Sequence, residues 1–305
     1  MSVTVEKIVD PVVLGEGPHW DEKQQALFFV SIHDRTIHKY VLSTKEHTKT
    51  KLDGPVGFIV PVEGTSDQFV VGVGRKFQVV RWDGRNNSPA TVVKEIGEVD
   101  QHTNPTTRLN DGKADPRGRL YAGTMGHEEP LGVFIPEQGA FFRLDGSRII
   151  KLSDKIGISN GLTWDLKEKA MYYIDSPELN IRRYDYNVET GEISNMKRIF
   201  DFKKKGVNGT PDGMTIDTDG NLWVAVFDGS SILQIDPREG KLLRQISIPA
   251  KQVTSVTFGG PNYDILFVTT AKLKINNVEQ EPPCGATFKV TGLGVKGFRN
   301  NNFKL

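Results

Sequence analysis

The sequence holds a single cysteine, Cys284, so no disulfide can form within the chain, which fits a reducing compartment. No apolar run approaches the roughly 18 residues that a membrane-spanning helix requires. The first residues, Met1-Ser-Val-Thr-Val-Glu-Lys7, show no basic region followed by an apolar stretch, and the expected location is the cytoplasm. No excess of either charge is present: 39 lysines and arginines stand against 38 aspartates and glutamates. A nucleic acid or an anionic membrane calls for a basic footprint, so neither is expected as a partner. The six histidines show no zinc-binding spacing, and Gly72-Val-Gly74 lacks the strand-to-helix setting of a dinucleotide site.

Helical periodicity is scarce as well. The prevailing pattern is a short β-branched or aromatic run followed by a turn cluster, as in Ala26–Val30, Gln68–Gly72 and Asn221–Val226. One unit recurs: a small residue, an apolar strand, a polar turn often opened by aspartate, then a second strand. Six copies begin at Gly17, Gly57, Gly112, Gly161, Gly213 and Ser255, between 40 and 55 residues apart. Repeats of that length holding four strands match propeller blades. A blade cannot bury both faces alone, so six of them are expected to close radially. The expected architecture is therefore all-β, a six-bladed propeller over residues 1–305, with Val3–Ile8 completing the last blade beside Thr287–Val290. A β-sandwich or a pair of smaller β domains is the rival, but no Pro/Ser linker or composition break supports a split.

The first strand of each blade lines a propeller's central channel, so equivalent repeat positions form a ring. Immediately before the six anchors stand Glu16, Val56, Asp111, Asn160, Asp212 and Thr254. Three carboxylates and a carboxamide thus face one channel. At about 4 Å and an effective dielectric near 20, one like-charge pair costs roughly 4 kcal/mol. A cation or shared protons must offset that cost. The donors are all oxygens, which favours a hard cation, Ca²⁺ first, then Mg²⁺ or Mn²⁺. Ordered water in a polar channel is the alternative. Arg108 and Asn110, just ahead of Asp111, are expected on a rim loop above it, where they would hold an oxyanion and hydroxyl groups.

Two motifs lead elsewhere and are set aside. Gly157-Ile-Ser-Asn-Gly161 has the spacing of a serine-hydrolase elbow, but the residues after Ser159 read as a strand rather than a helix. Asp217-Thr-Asp-Gly-Asn221 looks like a calcium loop, yet its glycine is misplaced for one, so a hairpin turn is expected.

Gly15–Trp20, Arg108–Lys113, Ala122–Met125, Ile158–Gly161, Pro211–Met214 and Thr291–Gly297 together resemble the SMP-30/gluconolactonase/LRE family, with insect members nearest in style. The resemblance runs from about residue 5 to the C-terminus and implies a six-bladed propeller with one divalent metal in its channel. It implies Glu16, Asn160 and Asp212 as metal ligands, with Zn²⁺ among the ions such sites accept. Arg108, Asn110 and Glu128 fall on substrate-contact positions, with Asp111 beside them. The implied chemistry is metal-dependent hydrolysis of sugar lactones, with Asp212 as general base for water. Two other roles within the family's range are action on oxyluciferin and non-enzymatic calcium-dependent regulation; remoter members cleave organophosphates. Phe58, His127 and Phe134 are candidates for the pocket wall.

Overall fold

The computed structural model describes residues 2–86, 88–103, 106–129 and 131–305. Among them, 24 strands form six four-stranded antiparallel sheets. The innermost strands are β2 (Gly15–Asp21), β6 (Val56–Pro61), β10 (Arg108–Ala114), β14 (Ser159–Asp165), β18 (Thr210–Ile216) and β22 (Gln252–Gly259). Each packs against the next, and β22 packs back against β2, so the six sheets close into a propeller. The N-terminal strand β1 (Thr4–Val9) pairs with β24 (Thr287–Thr291), placing Val5 opposite Val290. The last blade is thereby built from both ends of the chain, as expected.

The apolar runs are continuous because each middle strand is covered on both faces. In β3 (Ala26–Ser31), Ala26, Phe28 and Val30 point into a cluster shared with the second blade. Leu27 and Phe29 point the other way, into a cluster shared with the sixth. Six such clusters are present among the described residues, one at each blade-to-blade interface. The core is thus a ring of interfaces around the channel.

The anchor glycines are explained by how closely one blade approaches the next. A Cβ on Gly161 would lie 2.7 Å from the Asp212 carbonyl oxygen and 2.7 Å from Met214 Cβ. The turn aspartates are explained by the amides they collect. Asp217 Oδ1 accepts from Asp219 N and Asn221 N at 3.0 and 2.9 Å, and Asp115 and Asp165 cap their turns in the same way. The segment 217–221 is therefore a hairpin turn. Ser159 begins strand β14 and no helix comes after it, so the elbow reading fails. The only helical segment among the described residues is the single 3₁₀ turn Ser176–Glu178, and no helix is long and apolar enough to cross a membrane.

Candidate active site

Every innermost strand carries a register irregularity at the same place. The shifts fall between Glu16 and His19, Val56 and Ile59, Leu109 and Gly112, Asn160 and Leu162, Pro211 and Met214, and Val253 and Ser255. A bulge inserts an extra residue, bends the strand and re-aims its side chains. All six ring positions sit at these bulges.

The polar members gather into one buried cluster. Glu16, Asn110, Asp111, Asn160 and Asp212 are each less than 9% exposed. Asn110 Nδ2 donates to Asn160 Oδ1 at 3.1 Å and to the Ser159 carbonyl at 2.9 Å, while its Oδ1 accepts from Arg108 Nη1 at 2.6 Å. Asn160 Nδ2 donates to Ser176 Oγ at 2.8 Å, and Ser176 Oγ donates to the Pro211 carbonyl at 2.7 Å. One carboxamide chain thus links Arg108 in the third blade to the backbone beside Asp212 in the fifth. Asn160 is held with its amide N–H₂ turned to Ser176. Arg108 also faces Glu128, Nη2 to Oε2 at 3.8 Å, and Glu128 Oε1 accepts from Gly132 N at 2.9 Å.

The two remaining ring positions are structural. Val56 is fully buried in the first apolar cluster. Thr254 is likewise fully buried, and its hydroxyl bonds Thr269 Oγ1 at 2.9 Å.

The electrostatics of the cluster are strained. Burial, followed by the neighbouring Asp111 charge, pushes Glu16 up to about 8. Burial and then the charges of Glu16 and Asp111 push Asp212 well above the carboxylate range. Burial also raises Asp111, with Lys113 opposing. Arg108 is lowered by burial, while Glu128, Glu16 and Asp212 act to keep it charged. Asp212 Oδ1 is buried with no hydrogen-bond partner. Buried polar atoms are normally satisfied, so an orphan carboxylate oxygen marks a missing partner. The donor set of Glu16, Asp212 and the Asn160 carboxamide oxygen fits a hard, oxygen-preferring cation. Among the described residues no three Asp, Glu, His or Cys side chains form a ligand set of their own, in keeping with two carboxylates and one carboxamide.

Two expectations need correction. Arg108 and Asn110 lie within strand β10 and not on a rim loop: Arg108 pairs with Met125 at the start of the strand, and Asn110 sits in its bulge. Phe58 is not part of a pocket wall. It is fully buried between the second and third blades, where its ring fills the space left by Gly72 and Gly112. His127 and Phe134 flank Glu128: His127 Nε2 lies 3.2 Å from Glu129 Oε2, and Phe134 bridges to Glu128.

Sequence reasoning missed Ser176 and His33. Ser176 comes directly after the second strand of its blade and His33 lies just beyond the second strand of its own, at the end where the inner strands begin. The repeat alignment therefore contained a usable signal, since loops after second strands border the ring. Burial, reinforced by the Arg108 charge, lowers His33, while the Glu128 and Asp34 charges oppose that shift, so the imidazole responds to both members of the Arg108–Glu128 pair.

Together these features define a six-bladed propeller whose channel carries a carboxylate and carboxamide cluster at its strand bulges. The chain belongs to the SMP-30/gluconolactonase/LRE-like family, whose model matches residues 14–272. It is 37% identical to regucalcin of Danio rerio over 300 residues, 97% of each chain. It is also 37% identical to regucalcin of Homo sapiens over 286 residues, covering 93% of this chain and 92% of the other. Among solved structures, a luciferin-regenerating enzyme superposes with a TM-score of 0.93 at 42% identity over the whole of both chains.

Proposed function

We propose that the protein is a divalent-cation-dependent hydrolase that opens sugar lactones, with Ca²⁺ as the first candidate ion. The observation that carries this reading is the buried, unpartnered Asp212 Oδ1 within a cluster of three carboxylates. Glu16, Asn160 and Asp212 would hold the ion. When bound, the cation supplies Lewis acidity towards a carbonyl oxygen and the charge that keeps these carboxylates ionised.

The chain's own residues account for the remaining steps. Asp212 takes a proton from the attacking water as its oxygen bonds the lactone carbonyl carbon. The ring C–O bond then breaks, and the proton passes to the departing alkoxide, giving a hydroxy acid. The Arg108 guanidinium orients the substrate through its oxygens, and positioning of this kind contributes several kcal/mol. Asn110 is already bonded on both sides of its amide, so its part is to hold Arg108 and Asn160 in place. Glu128 sets the position of Arg108 from the other side.

The identity to a luciferin-regenerating enzyme supports a second reading, in which the same cluster acts on oxyluciferin. Chelator-stripped protein assayed on glucono- and gulono-lactone and on oxyluciferin, with Ca²⁺, Mg²⁺, Mn²⁺ or Zn²⁺ added back, separates the two. Lactone hydrolysis restored by metal supports the first reading. Turnover of oxyluciferin alone supports the second. A folded protein that binds metal and turns over neither would instead be a cation-binding regulator.

A further inference from the structure

A cavity of about 700 Å³ opens at the far mouth of the channel. Its inner wall includes His19, Thr163, Thr215 and Thr257, three residues beyond Glu16, Asn160, Asp212 and Thr254 on the same strands. At ~3.3 Å per residue, that is about 10 Å from the carboxylate cluster. None of Glu16, Asn160 or Asp212 lines this cavity. Its volume is in the range of small-molecule sites, roughly 300–1,000 Å³.

Lys113 lines this cavity and stands two residues beyond Asp111 on the same strand. Its side chain leaves the third blade and crosses to the fifth, where Nζ donates to the Met214 carbonyl at 2.8 Å. That is one bond for an ammonium with three donors. Burial holds Lys113 down at about 8, so it is still mostly cationic at neutral pH, and the charge of Asp111, two residues before it on β10, acts to support it. Most other charges around the cavity are already engaged. Arg238 pairs with Asp236 and Arg299 with Glu22, while Asp165 accepts from the amides of its own turn.

Lys167 and Asp219, both exposed, and Asn300 and Asn301 complete the polar part of the wall, and the rest is apolar. Trp164 and Ile216 lie deeper, and Leu166 and Phe298, each 52% exposed, stand at the mouth. Two exposed large apolar side chains at the rim of a cavity with a cation at its base make an amphipathic environment. A charged end is met by Lys113 and the threonine hydroxyls, and a hydrocarbon or aromatic body by Trp164, Leu166 and Phe298.

We propose that this chamber is a second binding site, separate from the carboxylate cluster, for a small amphipathic carboxylate. The acid group sits against Lys113 and the apolar body extends towards the mouth. Of the wall's cations Lys167, Arg238 and Arg299 are exposed and Lys113 is not, which suits one carboxylate at Lys113 better than a polyanion, and the apolar side chains favour a hydrocarbon or aromatic body over a free sugar.

Calorimetric titration of the full-length protein with octanoate at pH 7, beside the uncharged octanol, tests this. The expected result is saturable binding of octanoate at one site, with octanol weaker by about tenfold or more, the loss of one charge-assisted contact. Lys113→Met is expected to weaken octanoate by a similar factor, and Leu166→Glu, at an exposed position that does not threaten folding, by at least about fivefold. Arg108→Ala, at the carboxylate cluster and outside this cavity, should leave it unchanged. The proposal is overturned if octanoate does not saturate, if Leu166→Glu binds as well as the wild type, or if Arg108→Ala abolishes binding while Lys113→Met retains it.

Discussion

Among single residues, Asp212 carries the most weight. It combines a free buried oxygen with the charges of Glu16 and Asp111, both of which act on it. Asp212→Asn keeps the size and removes the base, so kcat/KM should fall by at least about 100-fold while the circular dichroism spectrum stays that of the wild type. Retained turnover would remove Asp212 from the chemistry. Gly161 makes a different demand, since a methyl group there meets the Asp212 carbonyl oxygen and Met214 Cβ, both at 2.7 Å. Gly161→Ala should cost about 1–3 kcal/mol in urea unfolding, the usual cost of overpacking, and should also shift the bulge that aims Asp212.

Within the blades, two devices recur: the bulge on the inner strand and the aspartate-capped turn that ends it. Asp217 is the most heavily bonded of the turn aspartates. Besides two turn amides it accepts from Trp223 Nε1 at 2.9 Å and from Gln234 Nε2 at 2.8 Å, and it is fully buried. Asp217→Ala strands those donors and should cost about 3 kcal/mol, whereas Asp219→Ala, two residues on and exposed, should stay within ~0.5 kcal/mol. Equal effects in equilibrium unfolding would contradict this account of the turn. The turns were legible in the sequence because aspartate and glycine report local backbone needs. The ring positions were legible because they repeat at one offset from the anchor glycines. The bulges themselves were not, since an extra residue shows only against its pairing partner, and this is why Arg108 and Asn110 read as loop residues. Phe58 was misread for a related reason: its partners Gly72 and Gly112 come from two different strands, and only packing brings them together.

Across the whole molecule, closure and charge are the governing quantities. The ring closes through β1 on β24, and again through the C-terminal segment. Asn300 there accepts from Trp20 N at 2.9 Å and Thr257 Oγ1 at 2.8 Å and donates to the Phe258 carbonyl at 3.2 Å, tying the first blade to the sixth. Removing residues 1–9 exposes the β24 edge and should lower Tm by more than Asn300→Ala does, as scanning calorimetry would show.

The charge of the channel predicts a pH dependence for chelator-treated protein. Glu16, raised from an unfolded value near 4.5 to about 8, binds its proton more tightly when folded, and Asp111 and Asp212 shift the same way. Stability therefore falls as pH rises towards 8. The buried His19 and His38 and the half-buried His33 and His47 are lowered, so they act in the opposite sense, but only below about 6.5. Between pH 6.5 and 8 the carboxylates dominate, and urea midpoints should decline across that window and recover on adding a divalent cation. A flat or rising profile would argue against a charge-strained cluster.

The central claim is that strand bulges from different blades converge on one cation site. Calorimetric titration of Ca²⁺ into chelator-treated protein tests it without reference to any substrate. One ion per chain is predicted for the wild type, with binding lost in Glu16→Gln and in Asp212→Asn and kept in Asp219→Ala. Binding that survives both carboxylate substitutions, or that is absent from the wild type, would contradict the account.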